Sequence, residues 1–139
     1  MKRITSVAKR LVLSLVAVLV IIGSFTLTAT PASASTVTIK MGADNGMLLF
    51  VPNTVSVKPG DTVQFVINKV PPHNVIFDAK GIPGGDKALA KSLSHQALEA
   101  TPNSSFDITV PKDAPAGEYN FFCAPHRSAG MVGKIIVGG

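Results

Sequence analysis

The chain has 139 residues, 13 basic against eight acidic side chains for a formal charge of +5, 46% apolar residues and one cysteine. That length bounds it to one domain, and a single cysteine excludes an intramolecular disulfide. The positive charge would suggest a nucleic-acid partner, but its placement along the chain removes that reading.

Residues 1–10, MKRITSVAKR, carry Lys2, Arg3, Lys9 and Arg10 and no acid, and an apolar core, LVLSLVAVLVIIGSF, follows. Ala32-Ser33-Ala34 then forms an A-x-A site. A basic end, a core of roughly 15 apolar residues and small residues at a cleavage point predict a secretory signal peptide over 1–34. The apolar core is shorter than the ~20 residues of a membrane span, so an uncleaved anchor is the weaker alternative. Cleavage removes four of the 13 basic residues and no acid, which leaves 105 residues of net charge +1 over 35–139. No basic run with interleaved aromatics survives in that part, so nothing supports nucleic-acid binding. A core of this size has little stability to spare, and without a disulfide a metal is the obvious staple.

The domain reads as strands in chain order. In TVTIKM, Val37, Ile39 and Met41 alternate with Thr36, Thr38 and Lys40. LLFV, Leu48 to Val51, is a short apolar run ended by Pro52, which cannot donate to a ladder. VSVK, the turn Pro59-Gly60-Asp61 and TVQFVIN form strand, turn, strand, with Val63, Phe65 and Ile67 on one face. HNVIF, from His73, follows Pro71-Pro72. A short helix is predicted near Asp86–Ser92, with Asp86 as its cap, and an irregular stretch to about Ala100. SFDITV, EYNFFC and KIIV complete seven or eight strands punctuated by Gly, Pro, Asn and Asp, a pattern of antiparallel sandwiches or barrels.

The chemistry gathers in CAPHRSAGM, Cys123 to Met131. Exported proteins ordinarily use cysteines in pairs, and an unmasked thiol is a liability in an oxidising compartment. Here the lone thiol stands at C-x2-H-x4-M spacing beside His126 and Met131. Thiolate, imidazole and thioether make a soft donor set suited to copper in both its Cu(I) and Cu(II) states, and a trigonal His2Cys site with a weak axial Met is the blue-copper arrangement. The second imidazole comes from His73 or His95. His73 is favoured because Pro71-Pro72 stiffen its approach, whereas His95 lies in a polar segment and reads as a surface residue. Gly130 and Gly133 are expected to supply backbone freedom where the loop turns. Zinc is a weaker reading, since a thioether is a poor zinc ligand. A Cys–His protease is weaker still, for want of a cleft and an orienting third group.

From about Val37 to Val137 the chain resembles the plastocyanin family of cupredoxins in its cyanobacterial form. The resemblance rests on MGADNG, LLFVP, KPGDTVQF, KVPPHNVIFD, APAGEYNFFCAPH and AGMVGKI, with PPHN and C-x2-H-x4-M-x-G-K the most specific parts. It implies an all-β fold, an eight-stranded cupredoxin β-sandwich (Greek key) with one short helix. One copper per chain would be held by His73, Cys123, His126 and Met131, with Asn74 bridging the two ligand loops. It implies a one-electron carrier rather than an enzyme, moving electrons from cytochrome f of the cytochrome b6f complex to photosystem I in the thylakoid lumen. Contact with the membrane would be peripheral and transient, and a monomer is expected. An apolar docking patch of Leu48, Pro72, Pro125, Ala129 and Gly130 around His126 is implied, with Arg127 beside it to steer partners. Pro52 and Pro72 match positions with cis peptide bonds. Phe122 stands where the family usually has Tyr, Ser128 where a Gly is common, and the dense acidic patches of plant forms are missing. The competing readings are a carrier of the same fold in a respiratory or amine-oxidising chain, a copper storage or delivery protein, and a metal-free sandwich.

Overall fold

Along Thr62–Ile67 every second side chain is buried: Val63, Phe65 and Ile67 point inward, the residues between them outward. This period of two is what a strand with one face on a core requires, and it recurs in Thr36–Met41 and Gly117–Phe122. The computed structural model describes residues 33–138. The predicted signal peptide therefore lies outside the described residues except for Ser33 and Ala34.

Among the described residues nine strands form: β1 (Thr36–Met41), β2 (Phe50–Val51), β3 (Thr54–Val57), β4 (Thr62–Ile67), β5 (His73–Phe77), β6 (His95–Glu99), β7 (Ser105–Thr109), β8 (Gly117–Phe122) and β9 (Val132–Val137). They form two sheets, ordered β2-β1-β4-β7 and β3-β9-β8-β5-β6. The pairs β1/β4 and β3/β9 are parallel and the others antiparallel. The run expected as one strand at LLFV is shorter, and the chain changes sheets after it: β2 pairs with β1 in the first sheet and β3 with β9 in the second. Pro52 occupies the crossing, where a missing N–H costs no ladder bond. Counted as one crossing strand, β2 and β3 leave the eight that were expected. The Val51–Pro52 and Pro71–Pro72 peptides are both cis.

The segment expected to be irregular before Ala100 is instead β6, antiparallel to β5 with a register shift between His73 and Val75. Its sequence, HQALE, has weak strand propensity; the open edge of β5 supplies the reason to pair. The helix α1 (Lys87–Leu93) falls one residue later than expected. Asp86 caps it, its Oδ1 accepting from the Ala88 and Leu89 amides at 2.8 and 3.0 Å, worth about 1 kcal/mol. At the other end Ser94 Oγ donates to the Ala90 carbonyl (2.7 Å) and accepts from the Phe77 amide (2.9 Å), which fastens the helix to the end of β5.

The core between the sheets is aromatic at its centre. Phe121 meets Phe50, Phe65 and Phe77 at centroid distances of 4.8, 5.5 and 5.5 Å. Burial of each such ring contributes about 1.5–3 kcal/mol. Gly133 serves this cluster rather than a turn: a Cβ there would sit 2.5 Å from Phe121 Cζ. Tyr119 is buried beside it and donates its hydroxyl to the Pro115 carbonyl at 2.7 Å, and burial pushes its pKa up.

Candidate metal centre

The alternation of β8 buries Tyr119 and Phe121 and carries Cys123, fully buried, to the end of the sandwich. There the chain turns through a short 3-10 segment, Ala124–Ala129, and Gly130 ends it with a left-handed backbone, φ 85°. A Cβ at Gly130 would meet nothing, so the turn geometry alone calls for glycine there. Backbone bonds close the loop on itself. The His126 amide donates to the Cys123 carbonyl (3.2 Å), the Met131 amide to the His126 carbonyl (3.2 Å) and the Cys123 amide to the Met131 carbonyl (3.1 Å). Cys123, His126 and Met131 are thus bonded to one another through the main chain before any metal is considered. Met131 is fully buried.

The fourth residue arrives from the other side. His73 opens β5 directly after Pro71–Pro72, and its side chain is fully buried. Its Nε2 lies 2.7 Å from the Lys69 carbonyl oxygen. A carbonyl only accepts, so Nε2 carries the proton and Nδ1 is left with its lone pair. That Nδ1 lies 3.7 Å from Cys123 Sγ and 3.2 Å from His126 Nδ1, and Sγ lies 3.5 Å from His126 Nδ1. Asn74 ties the two sides together: its Oδ1 accepts from the Ala124 amide at 2.8 Å and its Nδ2 donates to the Gln96 carbonyl at 3.2 Å.

The electrostatics keep both donors neutral until a cation arrives. Burial raises the Cys123 pKa, against backbone hydrogen bonds that lower it, so without a cation the thiol keeps its proton. Burial likewise lowers the pKa of His73, opposed by the Lys69 carbonyl and assisted by His126. A neutral imidazole with a free Nδ1 is the form a metal binds. A thiol that is costly to ionise unaided but faces two imidazole donors exchanges its proton for a metal.

Sequence reasoning did not reach several supports of this arrangement. Lys69 acts through its main chain, which leaves no residue-type signal. Val70 takes a left-handed backbone, φ 54°, at 47% exposure, a conformation costly for a β-branched residue. Gly42 stands against the Lys69 peptide so closely that a Cβ would lie 2.1 Å from the Lys69 oxygen. Asn68 Nδ2 donates to the Gly42 carbonyl and to Asp44 Oδ1, each at 2.8 Å. His95 stays out of the cluster, as expected, but is not a free surface residue: it stacks on Phe106 at 3.8 Å and bonds Glu99 at 2.9 Å. Of the expected docking residues, Pro72, Pro125, Arg127, Ala129 and Gly130 are exposed, as His126 is in part, while Leu48 is half-buried and packs on the core. The Arg127 guanidinium lies 3.9 Å over the Phe122 ring and 3.4 Å from Asp78 Oδ2.

Two imidazole nitrogens converging on a cysteine sulfur, with a buried methionine on the cysteine's own loop, define a type 1 copper electron carrier, a cupredoxin. The model of the copper-binding plastocyanin/azurin family matches residues 37–138, and the chain belongs to that family. Plastocyanin of Nostoc punctiforme is 46% identical over 139 residues, covering 100% of both chains. Plastocyanin of Prochlorothrix hollandica is 47% identical over 137 residues, 99% of each. Among solved structures, oxidised plastocyanin of the fern Dryopteris crassirhizoma superposes with a TM-score of 0.63 at 30% identity, covering 73% of this chain and all of that one. The chain is a copper-binding electron carrier and not an enzyme. Among the described residues no helix is long and apolar enough to cross a membrane.

Proposed function

We propose that His73, Cys123, His126 and Met131 hold one copper ion. The protein then carries single electrons from cytochrome f of the cytochrome b6f complex to photosystem I, after export to the thylakoid lumen with loss of residues 1–34. The observation that carries the reading is the convergence of His73 Nδ1, Cys123 Sγ and His126 Nδ1, all within 4.8 Å of one another. Copper bound there supplies the Cu(I)/Cu(II) couple. The protein's part is to hold its donors still through both states, so that little reorganisation accompanies each transfer. The backbone-bonded loop, the Lys69 carbonyl on His73 and the Asn74 bridge do this.

His126 is the exit. It is the only partly exposed member of the cluster, and the exposed Pro72, Pro125, Ala129 and Gly130 give a small apolar rim against which a partner can seat and leave quickly. Weak redox encounters of this kind bury little area. Arg127 and the half-buried Leu48 complete the docking face. A carrier in a respiratory or amine-oxidising chain would use the same centre, so the test compares donors. Stopped-flow reduction of the oxidised protein by cytochrome f should outrun reduction by other haem donors of similar potential. Equal or slower reduction by cytochrome f would remove the photosynthetic assignment and leave the copper carrier standing.

A further inference from the structure

Three polar side chains are buried among the described residues: His73, Asn74 and Asp61. The first two belong to the metal centre. Asp61 belongs to nothing described so far, and at 7% exposure it is the buried carboxylate outside the centre. It sits where the β3–β4 turn meets the start of the domain. Its Oδ2 accepts from the Lys58 amide at 2.8 Å, across the turn in which the Asp61 amide donates to the Lys58 carbonyl at 3.0 Å. Its Oδ1 accepts from the Ser35 amide at 2.8 Å. Ser35 is held from its other side as well, since its carbonyl accepts from the Thr62 amide at 2.9 Å.

Ser35 is also the residue that follows the A-x-A site Ala32-Ser33-Ala34. We propose that Asp61 is the seat of the processed amino terminus. Cleavage after Ala34 turns the Ser35 nitrogen, 2.8 Å from Asp61 Oδ1, into an α-ammonium paired with a buried carboxylate. Removal of the signal peptide thereby strengthens the folded domain. The inference rests on the cleavage reading above. Hydrolysis by an export-linked signal peptidase consumes one water. The Ala34–Ser35 bond breaks, the water oxygen stays with the Ala34 carboxylate, and the freed amine takes up a proton. One neutral donor becomes a cation with three.

The surroundings suit such a pair. The Ser35 and Lys58 amides, in that order, already hold the Asp61 carboxyl below the usual carboxylate range, against burial. Lys58, on the same turn, adds a cation that lowers the carboxyl further, and the stem of Lys112 passes the adjacent Gly60, with Asp113 next to it in the chain. The two backbone amides first, and the Lys58 charge after them, favour the ionised form of Asp61. A carboxyl with a lowered pKa contributes stability above the ordinary carboxylate range and loses it as pH falls through its folded value. An amine with a raised pKa contributes below about 7.7–8.0 and loses it as pH rises through its folded value. The pair's contribution is therefore a plateau between the two.

The test uses copper-loaded protein with three amino termini: Ser35, a one-residue extension at Ala34, and N-acetylated Ser35. Each is made with Asp61 and with Asp61→Asn. The chain beginning at Ser35 should have the highest urea midpoint near neutral pH and lose that advantage in the Asp61→Asn background. Its α-amine, followed by NMR, should titrate above the free-amine range of about 7.7–8.0 and return to it on Asp61→Asn. Should the Asp61→Asn variant fail to fold, the acetylated and free chains still decide the matter through their midpoints. Equal midpoints with an ordinary α-amine titration would overturn the proposal. Intact mass of the exported protein separates the two layers: a terminus other than Ser35 overturns the cleavage reading, and a Ser35 terminus with no midpoint difference overturns only the role of Asp61.

Discussion

The two histidines of the centre are held in opposite ways. His73 is fully buried at the head of a strand, with its Nε2 fixed to the Lys69 carbonyl and the following residue, Asn74, bonded to both neighbouring segments. His126 sits on a six-residue turn, partly exposed, flanked by exposed residues on both sides. The wall holding His73 resists motion, which keeps the donor geometry common to both oxidation states. The loop holding His126 brings a donor to the surface, where a partner's orbital can approach it. Rigidity and access are divided between two regions that meet at Cys123, at the facing His73 and His126 rings and at the Asn74–Ala124 bond.

The largest test breaks both regions at once. Replacing Cys123 by Ser removes the sulfur they share, and the intense visible absorption of the oxidised copper protein, a thiolate-to-copper charge transfer, should vanish outright. Cys123→Ser protein that kept this band would end the ligand assignment. The next test separates the regions. Small imidazole added to a His126→Gly variant should enter from solvent and restore the band. In His73→Gly the cavity is closed behind Pro72 and β5, so added imidazole should not restore it. That variant should also lose about 2–5 kcal/mol of stability, as for other large-to-small changes in a core. Equal rescue of the two variants would show that the buried and exposed donors are not distinct.

Smaller effects bear on the same contrast through two glycines with nearly the same φ. Gly42 and Gly130 have φ of 88° and 85°, so alanine would carry a left-handed φ at either, at a cost of about 1–2 kcal/mol. Only Gly42 has no room: its Cβ would strike the Lys69 oxygen at 2.1 Å, while that of Gly130 meets nothing. Gly42→Ala should therefore cost about 1–3 kcal/mol more in urea unfolding and shift the charge-transfer band by moving the carbonyl that orients His73. Gly130→Ala should leave the band in place.

What the sequence disclosed follows the same division. The loop region was legible because its chemistry is in side chains at short spacing: Cys123, His126 and Met131 lie within nine residues, and β8 delivers the first by simple alternation. The strand pattern was legible for the same reason, as in Val63, Phe65 and Ile67. The wall region was less so. His73 needed Pro71-Pro72 to be noticed, and its orienting partner is the carbonyl of a lysine, which any residue could provide. Gly42 reads as a turn glycine, and nothing local says that it faces a peptide 27 positions later. The strand β6 was invisible because HQALE pairs only on account of the edge that β5 leaves open, a tertiary effect that overrides propensity. The change of sheet at Pro52 is likewise a property of two partners, β1 and β9, and not of the run itself.

The smallest expected effect concerns the charges on the exposed side. Arg127 is the cation on the loop, and its field is already divided: its guanidinium lies over the Phe122 ring and is paired with Asp78 at 3.4 Å, both side chains partly solvated. A surface pair of this kind is worth about 0–1 kcal/mol, and its outward field falls off within a Debye length of about 8–10 Å. The chain from Ser35 onward carries a net charge of only +1, so no large field reinforces it. Long-range steering, which can raise association by about two to three orders of magnitude in strongly charged pairs, has little to work on here. The electron-transfer rate with a protein partner should fall only a few-fold as ionic strength rises to about 0.15 M. Arg127→Gln should lower the rate by a similar factor and flatten that dependence, while leaving the absorption band unchanged. A fall of orders of magnitude with salt would mean that docking depends on charge rather than on the apolar rim around His126, and the access half of the comparison would have to be redrawn.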